Sequence, residues 1–228
     1  MTGAGARLRV KLAVARPRLA TAERVLWSAQ DLTRGYVAYL VAMEAVVRAS
    51  VPLLEAALAQ CARFAPDDPV AAQLGAYLRR HRDEERGHDA WLRADLAAID
   101  DDAPTSTAAV PGPTVARLVG AQYYWLLHHH PACLLGYVAA LEWHAPPPRT
   151  AARLAARTGL PEQAFRTLSH HSDVDPGHGA ELQTLLDALP LTPMLESAIG
   201  VSALHTVDAA AELFERIAGG TRGGGVDG

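Results

Sequence analysis

The sequence predicts an all-α protein of one domain. Three observations carry this prediction. Apolar residues recur at helical spacing through most of the 228 residues, no stretch alternates apolar and polar residues long enough to argue a strand, and capping signals such as Asp68-Pro69 precede the periodic segments. A chain of this length can bury a sizeable single core, and nothing in it demands a second one.

Taken in order, residues 1–27 read as a basic, partly ordered arm. Arg7, Arg9, Lys11, Arg16 and Arg18 surround an apolar run at 12–15 that is too short for a secretory signal. The helical domain is expected over 28–218. Its first helix starts near Ser28 or Asp31 and ends near Phe64, with Pro52 bending or interrupting it. A second, capped by Asp68 with Pro69 at its first position, extends to about Ala98. The acidic, proline-interrupted stretch 100–113 reads as a loop. A third helical region begins near Thr114, is kinked or broken by Pro131, and stops before Pro146-Pro147-Pro148. A short helix over 151–157 closes on Gly159, the next begins at Pro161 and passes Pro176, and the last runs from Thr192 or Pro193 to about Ile217. Residues 219–228 form a glycine-rich tail expected to be disordered.

Composition narrows the function classes. A net charge of -4 and a pI near 6.2 leave no electrostatic footprint for nucleic acid. Apolar runs are interrupted by charge or proline before the roughly 18 to 20 residues of a bilayer span, so neither a transmembrane helix nor a membrane partner is expected. Cys61 and Cys133 lack zinc-knuckle spacing and read as buried small hydrophobes in a reducing, cytoplasmic compartment.

Against this bland background several acids and imidazoles stand out. If residues 169–178 are helical, His171, Asp175 and His178 share a stripe about 60° wide, while His170 and Asp173 point elsewhere. Pro176 and Gly177 should leave that helix locally unwound or easily disordered. Glu44 is the lone charge in an apolar run, and Glu142 repeats the pattern. A carboxylate so placed requires a proton, a cation or a metal; the alternative for Glu44 is a salt bridge to an arginine of a neighbouring helix. Glu85 and His88 form Glu-x-x-His, a pair that di-iron carboxylate bundles project inward; Glu84 or Asp83 could replace Glu85 if the helix is rotated. Glu44, Glu85, Glu142 and Asp175 would neutralise two divalent ions, with His88, His171 and His178 as neutral ligands. Oxygen and imidazole donors without thiolate suit iron, with manganese as a substitute. The run His128-His129-His130 spreads over about 200° of a helix and cannot converge on one ion. His144 and His205 read as core or surface residues rather than ligands, and Tyr36, Tyr39, Tyr123, Tyr124 and Trp125 as packing, with room for one or two of them to line a pocket beside the metals.

These residues resemble the heme-oxygenase-like di-iron oxidases and oxygenases, also described as iron-containing redox enzymes. The matching pieces are Glu44, the segment from Glu85 to Leu92 with His88, the segment from His130 to Tyr137 leading to Glu142, and His171-x-x-x-Asp175-x-x-His178. The resemblance spans about 36–191. It implies a seven-helix heme-oxygenase-like fold, two iron ions, and oxygen-dependent oxidation of a small metabolite such as an amino acid, amine or fatty acid. One departure concerns residue 81, where some members carry a carboxylate and this chain has histidine; Glu85 is therefore preferred as the ligand. Expected partners are dioxygen, a small organic substrate and, compatibly, an external electron donor and a second copy of the chain. Alternatives are a metal-free thiaminase-like enzyme using Cys133, a cofactorless oxidase, and an iron-binding bundle without turnover.

Overall fold

In the computed structural model, residues 3–100, 110–144 and 146–221 are described, with 173–176 described in backbone only. The described residues form ten α-helices and two short 3-10 turns, without a strand. Joining the helices broken at Ala49, at Arg86-Gly87 and between His129 and Cys133 gives seven helical stretches.

The first of these corrects the sequence reading. Where an arm was expected, α1 (Ala4–Trp27) is a helix of 24 residues that buries Leu8, Leu12, Leu19, Ala22 and Leu26. Its partner is α10 (Pro193–Gly220), the helix with which it packs most extensively. The basic residues have acidic counterparts there: Arg7 donates to Glu196 at 2.6 and 2.8 Å, and Arg18 pairs with Asp208 and Glu215. The arginines that made the segment look like a solvated arm are one side of a charged seam between two helices.

Asp31 caps α2 (Leu32–Arg48) by accepting the Arg34 N–H at 3.0 Å. The chain breaks at Ala49 before α3 (Ser50–Phe64). Pro52 explains the position, since its ring would meet the carbonyl four residues earlier, that of Arg48. By length and composition the stretch Leu32–Phe64 is apolar enough to cross a membrane, which the charge interruptions did not suggest. Here it is broken at Ala49, and its halves pack on the next two helices of the chain, α3 on Pro69–Glu85 and α2 on His88–Ala97.

Asp68 caps α4 (Pro69–Glu85), accepting from Val70 at 2.7 Å and Ala71 at 3.0 Å. The single helix expected to about Ala98 is interrupted at Arg86-Gly87. Gly87 has φ 88°, a left-handed conformation that costs glycine no Cβ clash. Glu85 therefore ends α4 and His88 begins α5 (His88–Ala97); the Glu-x-x-His spacing spans a helix break and is not an i,i+3 pair of one helix.

His129 and His130 separate α6 (Pro113–His128) from a 3-10 turn, Pro131–Cys133, and α7 (Leu134–Glu142). His130 accepts the Ala132 N–H at 3.0 Å and lies 3.0 Å from Asp68, so it fastens this turn to the start of α4. Helix α7 is buried from Leu134 to Ala140, which is why its sequence is apolar on every face. It crosses α10 closely: a Cβ on Gly136 would fall against the Ile199 carbonyl oxygen and 2.7 Å from the Ala203 nitrogen.

Helix α8 (Thr150–Thr158) ends at Gly159, and a 3-10 turn (Glu162–Phe165) leads into α9 (Arg166–Ala188). Its backbone stays helical through Pro176, where unwinding was expected. Thr192 caps α10, accepting the Leu195 N–H at 3.2 Å. Gly219 and Gly220, assigned to the tail from sequence, belong to α10; 222–228 lie outside the described residues.

Candidate metal centre

Two apolar clusters face each other across the molecule. One gathers around α7 and α10 and includes Val46, Ala140, Val207 and Ala210; the other includes Leu40, Leu92, Phe165 and Leu168. Between them lies a cavity of about 170 Å³ whose wall takes residues from both, together with Glu85, Glu142 and His171.

At the end of this cavity α4, α5, α7 and α9 bring their polar side chains together. His81, Glu85 and Glu142 each offer a donor atom within 4.8 Å of the others. His81 Nε2 is 3.8 Å from Glu142 Oε1, and His178 Nδ1 is 3.4 Å from Glu142 Oε2. On the other side of Glu85, His88 Nδ1 is 3.6 Å from its Oε1, and the His88 and His171 rings are 5.5 Å apart. Glu85 is thus common to both halves of the group. Burial would raise its carboxyl, but the His88 contact and the charges of His81, His88 and His171 outweigh that and hold it below the usual range.

Of the residues singled out from sequence, Glu85, His88, Glu142, His171 and His178 are brought together. Glu44 is fully buried, but its carboxylate is met by Arg93 at 3.1 Å, with Arg48 at 3.9 Å. That is the neighbouring-helix salt bridge considered as its alternative. Asp175 falls among side chains outside the described residues. Of the two substitutes named for Glu85, Glu84 sits at the edge, 3.9 Å from His178 and 3.8 Å from His81, while Asp83 pairs with Arg82.

Sequence reasoning passed over His81 as a ligand. It lies four residues before Glu85, on the same face of α4, and is 6 % exposed in a helix whose neighbouring charges are at the surface. The i,i+4 rule would have found it. Tyr77 and Tyr137 were missed too. Both hydroxyls are buried without a hydrogen-bond partner, and the Tyr77 ring stacks on His81 with centroids 5.5 Å apart. Burial first, then the nearby carboxylates, push both phenols up, so they keep their protons.

The donor chemistry fits a metal. Glu142 Oε2 and His88 Nδ1 are buried and make no hydrogen bond, a costly arrangement in a protein interior unless another partner completes it. His171 donates from Nδ1 to the Thr167 carbonyl at 2.9 Å. This is the hydrogen bond that fixes a ligating imidazole's tautomer and leaves Nε2 to the ion. No thiolate takes part: Cys133 is fully buried, is absent from the cavity wall, and has its thiol pushed up to about 11 by burial. A nucleophile needs the opposite environment, so the Cys133 alternative finds no support in its surroundings.

Behind His171 stands Asp95 of α5, fully buried, whose Oδ2 accepts the Thr167 N–H at 2.9 Å and so caps the first turn of α9. Asp95→Ala is expected to destabilise the protein by about 1 to 2 kcal/mol through loss of this cap. Burial pushes the Asp95 carboxyl up, against the opposing hydrogen bond from Thr167. A raised carboxyl favours the fold most when protonated. The stability of the native protein relative to Asp95→Asn, which cannot ionise, should therefore fall as pH rises from about 4, the unfolded carboxyl value, through the raised folded one. Urea unfolding of the two proteins across this range measures the difference.

The sequence matches the model of a family described as iron-containing redox enzyme over residues 37–211. No curated protein gives a significant match. Among solved structures, a domain of unknown function with a heme oxygenase-like fold from Shewanella denitrificans OS217 superposes with a TM-score of 0.78, at 18% identity, over 93% of this chain and 90% of that one. A TenA homolog from Pseudomonas syringae pv. tomato str. DC3000 gives 0.68, also at 18% identity, over 92% and 90% of the two chains. These likenesses show the heme oxygenase-like fold. The family match covers well over half of the sequence, and the chain accordingly belongs to the iron-containing redox enzyme family.

Proposed function

We propose that the protein is a non-heme di-iron oxidase or oxygenase that uses dioxygen to oxidise a small organic metabolite. The observation carrying this reading is the convergence of half-buried Glu85, Glu142, His171 and His178 with buried His81 and His88, with two buried polar atoms lacking hydrogen-bond partners, beside an apolar cavity. Oxygen and imidazole donors without sulfur suit iron, or manganese in its place. Bound ferrous iron would supply the electrons and the open coordination position that dioxygen needs, with an external donor restoring the electrons between turnovers.

The chain's own residues account for the rest. Glu85, shared by both halves of the group, is the bridging candidate. Glu142, His81 and His178 would hold one ion, His88 and His171 the other, and Glu44 and Asp175 would complete the negative charge expected from sequence. Tyr77 and Tyr137 keep protons to donate into the site. The apolar wall excludes water and presents a C–H or amine nitrogen of the substrate to the centre.

Glu44 enters the site by exchanging partners. Its guanidinium, Arg93, is 37% exposed and can turn outward. Arg93→Ala should lower the melting temperature of the metal-free protein by removing the 3.1 Å partner of a buried carboxylate, at a cost of about 1 to 3 kcal/mol. Ferrous ion should then raise that melting temperature more than it raises the native protein's. An equal rise in both would exclude Glu44 as a ligand.

The function is tested by loading the protein with ferrous ion without oxygen, measuring iron per chain, and following oxygen uptake with amines, amino acids and fatty acids. Two irons and substrate-stimulated uptake are expected. Iron that is merely oxidised, with no substrate consumed, would identify an iron-binding bundle instead.

A further inference from the structure

Helix α1, which lies outside the matched span 37–211, lines the mouth of the cavity, where it meets an outer groove that Glu85, Glu142 and His171 do not line. Leu19 and Glu23 of α1 belong to the cavity wall, and Glu23 Oε1 lies 2.9 Å from His144 Nε2. Glu23 stands at a neck. Together with Tyr39, Pro146, Leu168 and Phe214, it lines both the inner cavity and an outer groove that runs past Trp27 along α8.

The wall between the two ends is mostly apolar, with Met43, Val47 and Val207 among its members, and among the described residues it contains no lysine or arginine. A substrate carboxylate at this neck would thus meet the Glu23 carboxylate, and the imidazole beside it, His144, is already engaged through Nε2 with Glu23 Oε1. Desolvating an anion beside a carboxylate is unfavourable, whereas an ammonium group there gains a charge-assisted hydrogen bond. Size sets a further limit. A cavity of about 150 Å³ accommodates benzene, so one slightly larger holds about six to eight non-hydrogen atoms.

Resting on the function proposed above, we infer that the substrate is a small apolar amine. Its ammonium group is held by Glu23 at the neck and its hydrocarbon body reaches toward Glu85, Glu142 and His171. Arg24, Arg153 and Arg157 lie in the outer groove, beyond the neck; they would favour an anionic head if the substrate were bound the other way, and this is the competing outcome.

Calorimetric titration of the ferrous protein, kept free of oxygen, with hexylamine, hexanol and hexanoate separates these outcomes. Hexylamine should bind about tenfold more tightly than hexanol, as one charge-assisted hydrogen bond requires. Glu23→Gln should remove that preference, and Glu23→Asp, which keeps the charge, should retain it, with the helical circular dichroism of both variants unchanged. Tighter binding of hexanoate, or an amine preference unaffected by Glu23→Gln, would overturn the inference. The same titration of iron-free protein keeps the two readings apart. A Glu23-dependent amine preference in a protein that takes up no iron would leave the inference standing and the di-iron function refuted; iron uptake without the preference would do the reverse.

Discussion

Replacing Glu85 by alanine is expected to abolish iron binding while leaving the helical fold intact. Glu85 ends α4 at the one position adjoining both halves of the group, with His81 one turn before it and His88 across the Gly87 break. Its carboxylate is the negative charge shared by His81, His88 and His171, as the direction of its ionisation shows. On the proposed reading, removal would take away a ligand and a counter-charge from both ions. Loss of a mere supporting partner of a ligand costs about 10- to 100-fold in metal affinity, so loss of a bridging ligand should cost at least about 100-fold. Glu85→Gln keeps the volume and one oxygen donor and should lie between. Iron content after anaerobic loading and gel filtration measures the effect, and an unchanged circular dichroism spectrum separates it from unfolding. Retention of two irons by Glu85→Ala would remove Glu85 from the site.

Gly136→Ala should destabilise the protein markedly although it removes no contact and touches no charge. The added methyl would lie against the backbone of α10, at the Ile199 carbonyl and 2.7 Å from the Ala203 nitrogen. Backbone atoms cannot rotate away as a flexible side chain can, so α7 must shift relative to α10. Overpacking of this kind costs about 1 to 3 kcal/mol, and a clash with a helix backbone belongs at the upper end. Because Glu142 ends α7, the same shift should displace it from His81 and His178. Weaker iron binding should therefore accompany the lower midpoint in urea. A midpoint within experimental error of the native protein's would show that the two helices are not so tightly engaged.

The helical character and most boundaries were legible because they rest on local chemistry: Asp31 and Asp68 as caps, Pro69 and Pro193 at first turns, Gly159 at an end. The internal breaks were not. Proline marks a break only approximately, since the distortion at Ala49 precedes Pro52 by the length of the ring's clash, and nothing in the sequence distinguishes Gly87 in a left-handed conformation from a glycine tolerated within a helix. Helix α1 was hidden because a row of arginines looks solvated until its acidic partners on α10 are known, and those lie about 190 positions away.

The site shows the same division. Isolated carboxylates in apolar runs, Glu44 and Glu142, were recognisable from composition alone as facing inward; Glu44 is fully buried and Glu142 nearly so, at 10% side-chain exposure. What each one meets is a tertiary fact: Glu142 faces two imidazoles, Glu44 a guanidinium. His81 was obscured by the dense charge of His81-Arg82-Asp83-Glu84-Glu85-Arg86, in which a buried residue and its exposed neighbours look alike. Glu23 could not be found at all, since its place at the cavity depends on how α1 docks.

Diffraction at the iron absorption edge from crystals of the ferrous protein tests the central claim most directly. Two anomalous peaks are predicted, flanking the Glu85 carboxylate, with Glu142, His81 and His178 around one and His88 and His171 around the other. A protein that binds no iron, or binds it only at sites away from Glu85 and Glu142, would contradict the account.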